Sequence, residues 1–218
     1  MFIGHFAVGF ASKRLAPKTS LAWLIAAPLF LDLLFPLFLA LGIETVRVDK
    51  GNTAFTPLDL SDIPWSHSLA MTVVWMLAFA GVYWVATRDR RGALVLALGV
   101  LSHFVLDWVT HKPNTMELWP GADKTLGLGL WNSLWGTIVI EGAMFVAGVA
   151  IYVHMTRPRR SSGSYNLWGL VALLLTVYVT NLVGPPPPSA NAIMGLAFLF
   201  WPTVLWVWAM DRAREVTA

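Results

Sequence analysis

The chain has 218 residues, 57% of them hydrophobic and 12% charged, with no cysteine and a formal net charge of +3; its mean hydropathy is +0.65 and its pI about 9.4. A soluble globular domain carries about 25% charged residues, so this composition excludes that class and predicts an all-α polytopic membrane bundle, with residues 1–218 as a single membrane-embedded domain. Without cysteine there are no disulfides and no thiolate metal ligands, and basic residues scattered in short clusters beside apolar segments argue for membrane topology and against nucleic acid.

Residues 2–11 are apolar apart from His5 and run into Lys13, Arg14 and Lys18. At about 1.5 Å per residue they are too short to cross a core of about 30 Å, so they predict a half-helix that lies in the interface or enters partway. The segment lacks the basic start and small-residue cleavage site of a secretory signal and is expected to be retained.

The first full span is predicted over residues 21–43, with Asp32 near its middle and Pro28 and Pro36 about a turn to either side, kinking it. A polar loop (44–66) carries Glu44, Asp49, Asp59 and Asp62. The second span (67–87) starts at His67, the turn Arg88-Asp89-Arg90-Arg91 leads to the third (92–111), and a loop with Pro113 and Pro120 leads to the fourth (131–155), which contains Glu141. Fifth and sixth spans follow at 165–183 and 192–210, separated by Gly184 and four prolines. Six spans plus the half-helix, with the basic segments and both termini cytoplasmic, satisfy the positive-inside rule. Trp65, Trp119, Trp131 and Trp135 at the outer boundaries read as an aromatic belt.

Ionisable residues at membrane depth are costly, and the third span holds three of them, His103, Asp107 and His111, at successive i, i+4 steps on one helix face. His103 falls about 16 Å above the inner end of its span, near the midplane. Asp32 and Glu141 reach similar depth, and His67 lies at the outer end, so polar groups from four spans can meet in a cavity opening outward. Imidazole and carboxylate donors suit zinc, and manganese and iron also accept them. The same residues could form a hydrogen-bonded interhelical cluster or the ion path of a proton- or metal-coupled transporter. On residue type alone, His5 and His154 read as interfacial.

Gly4-His5, Asp32 among its prolines, His67-Ser68 and Ser102-His103-x-x-x-Asp107 with Thr110, in that order over about the first two thirds of the chain, resemble the LexA-binding, inner-membrane-associated hydrolases, the YdjM-like membrane-bound metal-dependent hydrolases. In this chain Leu31 rather than proline precedes Asp32, and Ser66 rather than a basic residue precedes His67. The His-x-x-x-Asp element is also similar to that of zinc-dependent phosphodiesterases. The resemblance implies His5 as a further ligand. It implies a divalent metal on His5, Asp32, His67, His103 and Asp107, with Asp32 or Glu141 as general base and His111 as proton donor. The expected substrate is a membrane lipid or lipid-linked (phospho)ester at the outer leaflet of the inner membrane.

Overall fold

A computed structural model describes residues 1–217, mostly as α-helix, with two small antiparallel sheets. Among the described residues, five helical segments are long and apolar enough to cross a membrane. They are α5 (Leu69–Thr87), α6 (Arg90–Thr110), α7 (Leu134–Met155), α8 (Ser161–Val183) and the segment Ala190–Arg212, which divides into α9 (Ala190–Ala197) and α10 (Phe200–Arg212).

The half-helix is α1 (Phe2–Ser12), and it enters the bundle. Ile3, Phe6 and Phe10, spaced at helical intervals, are all buried in the main apolar core, which is where a single stripe at that spacing must point. A Cβ at Gly148 would stand 2.4 Å from the carbonyl oxygen of Ala7, so α1 and α7 meet backbone to backbone. Gly9 gives the same close approach to Ile25.

Residues 21–43, expected as one kinked span, form two short helices, α2 (Leu21–Ala26) and α3 (Phe30–Ala40), with a turn between them. Pro28 has no amide hydrogen to continue the ladder. Its own carbonyl accepts from His103 Nδ1 at 2.7 Å, so a side chain of α6 satisfies a backbone group at the break.

The loop after α3 contains a hairpin, β1 (Thr45–Val48) with β2 (Leu58–Asp62). Val46 of the hairpin packs with Phe35, Ile63, Ile193 and Ala197, which seats it on α3 and α9. A single turn, α4 (Pro64–His67), then leads into α5, whose N-terminus is capped by Ser68. At the opposite, basic end, Arg88 takes a left-handed conformation (φ 59°) and Asp89 accepts from the Gly92 amide, which turns α5 into α6. Asp211 of α10 there accepts from the Leu21 amide at 2.8 Å and from Tyr152 at 3.1 Å. The short strands β3 (Thr156–Pro158) and β4 (Arg214–Val216) close this end.

Candidate metal centre

The i, i+4 face of α6 is buried: His103 is 0% exposed, Asp107 3% and His111 4%. Three other elements bring polar groups to it. α1 supplies His5, whose Nε2 is 3.2 Å from Asp107 Oδ1 and whose ring stacks on that of His103 at 3.9 Å and 2°. α4 supplies His67, with Nε2 3.9 Å from Asp107 Oδ2 and 3.6 Å from Asp32 Oδ1 of α3. His103 Nε2 and His111 Nε2 lie 3.1 and 3.6 Å from Asp107 Oδ2. The Met1 amino nitrogen also contacts Asp107 Oδ1 at 2.5 Å. His5, His103 and Asp107, and likewise Asp32, His67 and His103, place one donor atom each within 4.8 Å of one another.

The hydrogen bonds behind the ring nitrogens define what these groups offer. A carbonyl only accepts, so the bond to Pro28 puts a hydrogen of His103 on Nδ1 and, in the neutral ring that a metal requires, leaves Nε2 as a lone pair. His67 is set in the same way. Ser66 donates its amide and its hydroxyl to Glu44, at 2.7 and 2.8 Å, and its Oγ is then free to accept from His67 Nδ1 at 2.5 Å. Glu44 is itself buried, and that burial pushes its carboxyl up while His67 and the Ser66 donors pull it down. Metal-binding histidines are oriented in this way by a carboxylate or carbonyl on the far nitrogen.

Around Asp107 Oδ1 the Met1 amino group donates, 3.2 Å from His5 Nε2, whereas around Oδ2 the neutral imidazoles present acceptors to an acceptor. His103 Nε2 is buried without a hydrogen-bond partner although Asp107 Oδ2 is 3.1 Å away. Two lone pairs at that distance repel unless a proton or cation lies between them. The donor set, imidazole nitrogens and carboxylates with no sulfur, fits a divalent transition metal such as zinc.

Of the residues expected at the site, His5, Asp32, His67, His103, Asp107 and His111 converge. Glu141 belongs to neither group of close donors: it is fully buried, and its Oε1 accepts from Trp131 Nε1 at 3.4 Å. Trp131 does not belong to an exposed belt as Trp65, Trp119 and Trp135 do; it is buried, and its ring lies 4.9 Å from that of His111. Glu44 and Ser66 are additions that loop composition alone did not single out. The readable signal was Ser66 directly before His67, after strands whose alternation (Thr45-Val-Arg-Val and Leu58-Asp-Leu-Ser) marked a hairpin.

The loop after α6 holds its C-terminus in place. Leu128 and Gly129 amides donate to the Trp108 and His111 carbonyls at 2.8 and 2.7 Å. Gly127, at φ 136°, makes this possible, since a Cβ there would stand 2.1 Å from the Lys112 carbonyl oxygen.

A cavity of about 340 Å³ opens onto the cluster. His5, Asp32, His67, Asp107 and His111 line one part of it. Its walls are apolar, with Leu173 and Val177 of α8 facing Leu196, Leu199 and Phe200 of α9 and α10. Nearer the basic end α8 and α10 are joined, Trp206 Nε1 donating to Asn166 at 3.2 Å. Leu173, Val177, Leu196 and Leu199 of these walls are exposed, so the cleft is open to the outside of the bundle.

Fold and site together define a helical membrane protein with a buried histidine and aspartate cluster at the base of an open cleft. The chain belongs to the YdjM inner membrane protein family, whose model matches residues 1–184. No curated protein and no solved structure matches it.

Proposed function

We propose that the protein is a metal-dependent hydrolase of the inner membrane that cleaves a lipid or lipid-linked ester, most favourably a phosphoester. The observation that carries this reading is the position of the cluster. Two imidazoles anchored through Nδ1, with Nε2 turned to two carboxylates, stand at one end of an apolar cleft. A cluster built only to join helices has no need of such a cleft, and a water-soluble substrate has no need of its walls.

A bound divalent ion, zinc by preference, supplies a Lewis acid there and lowers the pKa of water toward about 7. The chain's residues do the rest. His5, His67, His103 and Asp107 are the residues that would supply metal ligands, and Asp32, on the cavity wall beside His67, has a second carboxylate oxygen for the proton of the attacking water. His111, also on the wall, donates a proton to the leaving oxygen as the ester bond breaks. Glu141 acts at one remove, holding Trp131 against the His111 ring. The alkyl chain of the substrate lies between α8 and α9. With the basic segments at Lys13, Arg88–Arg91 and Arg157–Arg160 on the cytoplasmic side, the cluster faces the outer leaflet.

The test is incubation of the detergent-purified protein with mixed phospholipid vesicles, with released products read by mass spectrometry. The reading expects product from the wild type that is abolished by chelation, restored by zinc, and absent for Asp107→Asn. Product formation unchanged in Asp107→Asn would contradict it.

A further inference from the structure

Asp107 is the one residue that touches every histidine of the cluster, and it divides them between its two oxygens. Oδ1 faces His5 and the Met1 amino group, which a first ion would displace, while Oδ2 faces His103, His67 and His111. The two ligand groups both draw on His103, yet the bond from its Nδ1 to Pro28 leaves that ring a single donor atom. One nitrogen serves one ion. A second ion is therefore completed only if Asp107 serves both.

Resting on the metal-centre reading above, we propose that the site holds two divalent cations bridged by the Asp107 carboxylate, one held by His5 and His103, the other by His67 and Asp32. Each ion then has three protein donors, the number that leaves a tetrahedral ion one open position. The cluster has donors for more than one shell: four imidazole Nε2 atoms and four carboxylate oxygens converge here, twice what one tetrahedral shell accepts. The elements divide in the same way, the first ion joining α1 to α6 and the second joining α3 and α4 to α6. A pair of ions clamps both the attacking and the leaving oxygen of a displacement, which suits a phosphoester.

The experiment is metal stoichiometry with spectroscopy. Metal-stripped full-length protein in detergent is reconstituted separately with zinc and with manganese. Bound metal per chain is read by elemental mass spectrometry, and the manganese form by electron paramagnetic resonance. The expected result is saturation at two ions per chain with an exchange-coupled manganese spectrum. His5→Ala and His67→Ala each fall to one ion per chain with an uncoupled spectrum. Saturation of the wild type at one ion per chain with both metals overturns the bridge and leaves the hydrolase reading standing; no bound ion overturns both. Because the wild-type count alone decides between one and two, a variant that fails to fold leaves the test intact.

Discussion

Glu44, Ser66 and His67 form a line in which each residue fixes the next: the buried carboxylate takes both Ser66 hydrogens, and the hydroxyl oxygen is left to accept from the imidazole. Glu44→Gln and Ser66→Ala are expected to weaken metal retention by about 10–100-fold, the usual cost of losing such an orienting partner. Since they act through one chain, the double variant should be no worse than the more severe single one. Competition with a calibrated chelator measures this, and additive losses would show that the two residues act separately. The α6 face was legible in the sequence because its three polar residues repeat at the helical period. His5, Asp32 and His67 have no such period linking them, and only the family resemblance drew His5 in. Ser66, where a basic residue is often found in the resembled family, is the residue that couples Glu44 to the site.

Helix α1 carries His5 and has no means of spanning a membrane, so its position depends on contact with α7. Gly148→Ala puts a methyl against the Ala7 backbone and should cost about 1–3 kcal/mol of stability, as overpacking does. By moving α1 it should also weaken metal retention; thermal unfolding with and without added zinc separates the two effects. At the basic end, hydrogen bonds from Arg157 and then Arg159 hold the Glu215 carboxyl below the usual carboxylate range. A depressed carboxylate stabilises the pairing of β3 with β4 above its unfolded pKa, and that contribution is lost as pH falls through the folded value. Protection of these strands from hydrogen exchange, relative to the intrinsic rate at each pH, should fall on acidification in the wild type, whereas in Glu215→Gln it should change little over the same range. Five spans and the half-helix were legible from length and apolarity. The break at Pro28 was not distinguishable from a kink, because it depends on a hydrogen bond from His103, 75 residues away.

At the scale of the whole molecule, the bundle separates a joined end from an open one. Near the basic end the Lys13, Tyr152 and Asp211 contacts and the β3–β4 pair tie together elements from both ends of the chain. Toward the cluster residues of α8 and α9 line the open cleft. Composition and hydropathy made the class of protein readable. The cleft was not, since it arises from how two apolar helices are placed, which no local pattern encodes. If the cleft receives an alkyl chain, Val177→Trp and Leu196→Trp should reduce hydrolysis of long-chain lipids at least about tenfold and leave short-chain, water-soluble esters nearly unaffected; equal loss on both substrates would contradict lateral access. All of this depends on the cluster being a metal centre. The most direct measurement is the metal content of the purified wild type beside the variant with both His103→Ala and Asp107→Ala, by elemental mass spectrometry after checking the helical content of each. The account predicts zinc, manganese or iron bound stoichiometrically in the wild type and lost in a variant that remains folded. A folded wild type that holds no metal after reconstitution, or a folded double variant that keeps the wild-type amount, would contradict it.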